Sequence, residues 1–152
     1  MENHRELTVV TGAFGYSGKY IAQRLLERGK AVRTLTGHPG NPNPFAAIEI
    51  APFNFDHPDA LTESLRGASA VFNTYWIRFA RGELTFNRAV DNLKSLIGAA
   101  RRAGVRRFVH ISITGARADS PLPYFRGKGI IENCLRASGL SWRSSLPRSS
   151  VG

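Results

Sequence analysis

Apolar positions along this chain change period repeatedly, from runs that suit strands to spacings of three and four that suit helices. Leu7 to Val10 is a short apolar run stopped at Thr11-Gly12, and a helical spacing then passes through Tyr20, Ile21, Leu25 and Leu26 to Gly29. Ala31–Leu35 predicts a second strand, Ala47–Phe53 a third, Pro58–Arg66 a short helix and Ala70–Thr74 a fourth strand. Phe86, Ala89, Val90, Leu93, Ile97 and Ala100 lie on one face of a long amphipathic helix, and Arg107–Ile113 predicts a fifth strand. Tight strand-helix-strand alternation of this kind predicts parallel pairing with right-handed crossovers, hence an α/β, doubly wound, three-layer sheet. The pattern breaks after Gly139, where a strand is due. Trp142-Arg143-Ser144-Ser145-Leu146-Pro147-Arg148 carries too many charges and hydroxyls for a central buried strand. The expected organisation is one domain over residues 1–140 and an atypical or truncated tail over 141–152.

Between the first strand and the first helix lies Thr11-Gly12-Ala13-Phe14-Gly15-Tyr16-Ser17-Gly18. A glycine pattern is weak by itself, but one that follows a strand, opens a helix and sits in a βαβ unit has the context of a dinucleotide-binding turn, the Rossmann fingerprint. Gly12 permits the tight turn, Gly15 lets backbone approach a pyrophosphate, and Gly18 lets the helix pack closely. Backbone N–H groups of Gly15, Tyr16 and Ser17 are expected to face the phosphates at the positive end of the helix dipole, with Phe14 beside them. The bland alternative is a glycine-rich turn with no ligand.

The end of the second strand separates NAD from NADP, because an acidic side chain there accepts from the ribose 2′-OH. Here it reads Arg33-Thr34-Leu35-Thr36-Gly37-His38, with no carboxylate. That argues against the strict NAD arrangement and tips the expectation to NADP, with Thr36, His38 or Arg33 to accommodate a 2′-phosphate. Arg33 is equally readable as a solvated strand residue.

Composition narrows the class further. With 152 residues, 42% hydrophobic and 21% charged, the chain has the makings of one ordinary globular domain. No apolar run reaches the roughly 20 residues of a membrane span, so cytoplasmic residence is the expectation. Cys134 is the only cysteine, which excludes an internal disulfide, and the four histidines show no zinc-site spacing. The net charge of +10 arises wholly in the second half: residues 1–76 hold seven Lys/Arg and seven Asp/Glu, residues 77–152 fourteen and four. Arg101, Arg102, Arg106 and Arg107 invite a nucleic-acid reading, but no aromatic-and-basic stripe accompanies them, and helix-capping or solvated arginines explain the charge more simply.

The glycine turn together with Tyr124-Phe125-Arg126-Gly127-Lys128, a Tyr-x-x-x-Lys spacing, resembles the extended and atypical short-chain dehydrogenase/reductase superfamily. More narrowly, Val9 to Gly139 resembles its NmrA-like and complex-I-accessory-subunit-like branch, the NAD-dependent epimerase/dehydratase type. The resemblance implies that Asn54 and Phe55 flank the adenine, that Asn73 and Thr74 lie along ribose and phosphates, and that Ser112 approximates the active-site hydroxyl, although the usual serine position falls on Ile113. It also implies a substrate-binding part of more than a hundred residues beyond those seen here. Tyr124 and Lys128 can be argued without the family: at i,i+4 on a helix they share a face, and an ammonium beside a phenol favours phenolate and so proton transfer near neutral pH. Lysine also holds the nicotinamide ribose. Pro121, Pro123 and Gly127 weaken the helix, and a surface tyrosine with a solvated lysine is the plain alternative.

Two functions remain. One is an NAD(P)-dependent oxidoreductase or epimerase-type domain acting on a small-molecule carbonyl or hydroxyl; the other is a non-catalytic NAD(P)-binding module, redox-sensing or structural, with a protein partner or a second copy.

Overall fold

The computed structural model describes residues 5–77, 80–82 and 85–145, so Leu146, Pro147 and the rest of the expected tail lie outside the described residues. Six strands and four helices alternate: β1 (Leu7–Thr11), α1 (Tyr16–Glu27), β2 (Ala31–Thr36), β3 (Ile48–Pro52), α2 (Pro58–Leu65), β4 (Ala68–Asn73), α3 (Phe86–Arg102), β5 (Arg107–Ile111), α4 (Pro123–Ala137) and β6 (Ser141–Ser145). All pairings are parallel, in the order β3-β2-β1-β4-β5-β6. This is a Rossmann-type doubly wound sheet.

The order reverses between β1 and β4, and in such sheets the crevice at the strands' carboxyl ends beside that reversal receives ligands. Successive residues of a strand face opposite sides of the sheet, so Val9 and Val10 enter different cores. Val9, Leu35, Val71 and Phe108 pack against Leu61, Leu65, Leu93, Leu96, Ile131 and Leu135 of α2, α3 and α4. Val10, Val32 and Ile48 pack against Ala22, Ile21 and Leu25 of α1. Fully burying a Leu, Val or Phe contributes roughly 1.5–3 kcal/mol, so these two layers hold the glycine turn against the sheet.

The segment after Gly139 corrects the expectation of an atypical tail at its start. Ser141–Ser145 is a sixth strand, paired in register with Arg107–Ile111. It lies at the edge of the sheet, where Ser141, Arg143 and Ser144 stay exposed while Trp142 joins the core beside α4. Polar composition excludes a central strand but not an edge strand, whose outer side water already solvates. No helix among the described residues is long and apolar enough to cross a membrane.

Candidate functional site

The turn after β1 is built from short-range necessities. Gly12 has φ +67, and its N–H donates to Leu35 O at 2.9 Å, joining the turn to β2. A Cβ on Gly18 would lie 2.0 Å from Gly12 O, so the first turn of α1 rests directly on the glycine turn's backbone. One expectation needs correction: Gly15 N–H does not face outward, since it donates to Gly12 O at 2.9 Å and closes the bend. Ala13 N–H is likewise used, by Thr34 Oγ1 at 3.0 Å. Among the described residues no partner is found for the N–H groups of Tyr16, Ser17 and Gly18, the first residues of α1, whose N-cap Gly15 supplies no side-chain cap. Unpaired first-turn N–H groups and a helix dipole suit an anion.

A cleft of about 580 Å³ opens above this turn. Its walls are Gly12, Gly15, Tyr16, Ser17 and Gly18, then Thr36, Gly37 and His38 at the end of β2, Phe53 and Phe55 after β3, Thr74, Tyr75 and Trp76 after β4, and Asn92 of α3. All the strand-derived members sit at the carboxyl ends. Of the residues singled out from sequence, Gly12, Gly15, Tyr16, Ser17, Gly18, Thr36, His38, Phe55 and Thr74 line the cleft, and Phe14, Asn54, Asn73, Tyr124, Lys128 and Ser112 do not. Phe14 packs half-buried against the apolar layer that includes Ala22, Ile21 and Leu25 of α1. Asn54 takes φ 51 in the turn after β3, its carbonyl accepting from His57 N–H at 3.0 Å. Arg33 points away: its guanidinium meets Ser64 O at 2.9 Å and Glu49 at 3.1 Å, on the face opposite α1.

Asn73 is buried beneath the cleft and organises it. Its Oδ1 accepts from Thr11 Oγ1 at 2.9 Å and from Tyr75 N–H at 3.1 Å, while Thr11 Oγ1 accepts from Thr74 N–H at 2.9 Å. These bonds tie β1 to β4 at the point where the sheet order reverses. Asn73 Nδ2 is left to donate to His110 Nδ1 at 3.1 Å, which places the His110 proton on Nε2, a buried atom with no partner among the described residues. Burial, and then the positive charge of Lys128, push His110 down from 6.5 to about 3. The unfolded chain therefore binds a proton near pH 6.5 that the folded one refuses until about pH 3, so this contribution to stability is complete above pH 6.5 and lost as pH falls toward 3. On linkage grounds the loss at the acid end is on the order of 5 kcal/mol. Urea titrations at pH 7, 5.5 and 4.5 check it: stability should fall over this range, and His110→Gln should flatten the fall. An unchanged slope in that variant would assign the acid sensitivity elsewhere.

Tyr124 is one residue into α4, behind Pro123 at its start, so the two residues do share a helix as their spacing predicts. Gly127, which weakens a helix by propensity, is required by packing, since a Cβ there would lie 2.6 Å from the Trp76 ring. Trp76 is the link between this helix and the cleft. Its ring centre is 6.0 Å from that of Tyr124 and 5.3 Å from Lys128 Nζ. Lys128 is only 4% exposed, and its ammonium donates to Ile111 O at 2.8 Å. Burial pushes it down to about 8, against a smaller upward pull from Glu132. Ser112, fully buried, donates to Glu132 Oε1 at 2.6 Å.

A strand-turn-helix glycine motif spanned by a family model decides the relationship: residues 12–144 match the NAD(P)H-binding family. The chain belongs to that family. It is 31% identical over 116 residues to the 4-hydroxy-2-methyl-3-oxo-4-farnesyl-3,4-dihydroquinoline-1-oxide ketoreductase of Stigmatella aurantiaca, covering 74% of this chain and 35% of that protein. It is 24% identical over 138 residues to subunit 9 of the NADH dehydrogenase [ubiquinone] 1 alpha subcomplex, mitochondrial, of Arabidopsis thaliana, covering 85% and 34%. The Bordetella bronchiseptica enzyme WbmH, solved in complex with NAD+, superposes with a TM-score of 0.73 at 19% identity, over 98% of this chain and 60% of that one. The chain thus spans about a third of the length of these two curated relatives. The match over residues 12–144 assigns this chain an NAD(P)H-binding domain, and the solved structure shares its fold.

Sequence reasoning missed Gly37, Phe53, Tyr75, Trp76 and Asn92 as cleft residues. Phe53 ends the predicted third strand and reads as core, whereas Tyr75 and Trp76 follow the fourth strand in a stretch without periodicity. Asn92 was hidden on an amphipathic helix, where it donates to Tyr75 Oη at 3.0 Å.

Proposed function

We propose that this chain is the cofactor-binding domain of an NADP-preferring oxidoreductase or epimerase-type enzyme acting at a carbonyl or hydroxyl carbon. One observation carries the reading: the cleft that begins at the free N–H groups of α1 ends at Trp76, which touches both Tyr124 and Lys128. The glycine turn fits a dinucleotide, because its path is one that side chains on Gly12 or Gly18 would obstruct. When bound, the nicotinamide supplies or accepts the hydride. Tyr16, Ser17 and Gly18 hold the pyrophosphate, and Lys128 the nicotinamide ribose. Tyr124 moves a proton between its Oη and the substrate oxygen, with Ser112 steadying that oxygen once its hydroxyl leaves Glu132. The lean to NADP rests on Thr36 and His38, which line the cleft at the end of β2 with no acidic side chain among the described lining residues.

A second reading, a non-catalytic NAD(P)-binding module, is favoured by a different observation. Tyr124, Lys128 and Ser112 do not line the cleft, and the Ser112 hydroxyl is already committed to Glu132. The relatives include both kinds of name, a ketoreductase and a subunit of an NADH dehydrogenase subcomplex.

Calorimetric titration with NAD(H) and NADP(H) tests the shared part. Gly15→Asp, which sets a carboxylate beside the open end of α1, should weaken binding at least ~100-fold, a Coulomb repulsion of a few kcal/mol in a partly desolvated cleft; its Cβ would meet Gly12 O at 3.3 Å, so the melting temperature is measured alongside. Equal binding by wild type and variant would remove the cofactor site from this turn. Turnover of a carbonyl panel separates the two readings. Activity lost by roughly 100-fold or more in Tyr124→Phe selects the enzyme, within the range for positioned proton transfer; binding with no turnover selects the module.

A further inference from the structure

Two neighbouring residues at the carboxyl end of β5 are gripped by two side chains one turn apart on α4. Lys128 Nζ donates to Ile111 O at 2.8 Å, and Ser112 Oγ, on the next residue, donates to Glu132 Oε1 at 2.6 Å. The same carboxylate oxygen accepts from Ser144 Oγ of β6 at 3.4 Å. Glu132 thus ties α4 to the ends of two strands, and its side chain is only 16% exposed. A carboxylate so placed costs more to bury than a neutral acceptor would. Two hydroxyls are satisfied by a neutral acceptor, so the charge on Glu132 serves something else.

Lys128 accounts for it. An ammonium only 4% exposed is driven toward its neutral form by burial, and the carboxylate at i+4 on the same helix opposes this by favouring the charged form. Among the described residues, the other groups facing Lys128 carry no negative charge. His110, on β5, is held neutral by burial. Trp76, after β4, offers its ring, on which Tyr124 packs. Asp91 and Lys94 of α3 open with Arg126 onto the outer groove between α3 and α4, which Lys128 does not line. Arg136 stands 4.0 Å from the second oxygen of Glu132 but is 59% exposed, so water screens that pair.

We propose that Glu132 is a positioning residue for Lys128: it anchors the end of β5 beside the lysine and supplies the counter-charge that keeps the buried ammonium available to the cofactor's ribose. The inference rests on the cofactor-site reading and holds for an enzyme and for a non-catalytic module alike.

The test is calorimetric titration of the full chain with NADPH between about pH 6 and pH 9.5, a range that brackets loss of the Lys128 proton. Wild type, Glu132→Gln, Glu132→Asp and Lys128→Arg are compared, each with its melting temperature, which separates loss of the cofactor contact from loss of the fold. Glutamine keeps an acceptor for Ser112 and removes the charge, whereas aspartate keeps the charge. Wild-type affinity should begin to fall near pH 8, where Lys128 loses its proton. Glu132→Gln should move the fall about one pH unit lower, which reads as up to about tenfold weaker binding above pH 8 with little change at pH 6. Glu132→Asp should bring the fall back toward the wild-type pH, and Lys128→Arg, charged throughout, should show none. A fall that keeps its wild-type pH in Glu132→Gln, or an affinity lowered by one factor at every pH, overturns the inference and leaves the cofactor site standing. A wild-type profile as flat as that of Lys128→Arg removes Lys128 from the cofactor, and failure of all four proteins to bind NADPH removes the cofactor site; the inference falls with either.

Discussion

Alanine at position 18 is expected to destabilise the domain by about 3 kcal/mol and to abolish measurable dinucleotide binding, although it adds a single methyl group. In a helix, Gly→Ala ordinarily gains close to 1 kcal/mol. Here the new Cβ would stand 2.0 Å from Gly12 O, 2.7 Å from Gly12 C and 3.0 Å from the Ala13 Cα, all backbone atoms. No rotamer change relieves such a contact, so either α1 lifts off the turn or the turn moves, and both displace the N–H groups of Tyr16 and Ser17. Thermal unfolding should show a fall of roughly 6–12 °C for a domain of this size. A variant that melts within about 2 °C of wild type and still binds NADPH would mean that α1 does not rest on Gly12 as described.

The second large effect lies on the opposite layer of the sheet. Gly129→Ala would put a Cβ 2.2 Å from Arg117 C and 2.3 Å from Ala118 N, where the loop after β5 crosses α4. A loss of about 3 kcal/mol is expected again, overpacking prevailing over helix propensity. Dinucleotide binding to the folded fraction should weaken less than in Gly18→Ala, because the clash falls on α4 beside Lys128 and leaves the glycine turn and the start of α1 in place. Gly98→Ala in α3 is the control for sign. Its Cβ would meet only Arg102 Nη1, at 3.3 Å, the end of a flexible side chain. There the helix should gain roughly 0.5–1 kcal/mol. Equal shifts at positions 98 and 129 would show that packing does not distinguish them.

How much of this was readable beforehand depended on the range of the interaction. Strand boundaries came out within one or two residues because apolar period is a local property: Ala70–Thr74 became Ala68–Asn73, and Arg107–Ile113 ended at Ile111. Ile113 and its neighbours leave the sheet because the chain turns there toward α4, which no local preference announces. The edge strand at 141–145 escaped detection for a related reason. Its serines and arginine conflict with a buried strand, and only the sheet order shows that one side of it faces water.

The candidate site divides in the same way. Gly12, Gly15 and Gly18 were legible because their task is backbone shape within seven residues. Arg33 was not, because a strand residue's side depends on register, and register sends it to Glu49 and Ser64. Gly15 offered a different lesson: spacing marked it as a phosphate donor, yet the bend consumes its N–H internally. Trp76 and Asn73 matter through residues far from them in sequence, Gly127 and Tyr124 for the one, Thr11 and His110 for the other.

The sequence by itself determined the alternation of strands and helices, the glycine turn and the placement of Tyr124 and Lys128 on one helix, since each follows from preferences acting over a few residues. Tertiary structure alone decided which side chains wall the cleft, that Lys128 and His110 are buried together, and that Trp76 joins the turn's cleft to α4. Those depend on dehydration and contact between segments distant in the chain, and neither quantity exists until the sheet has assembled.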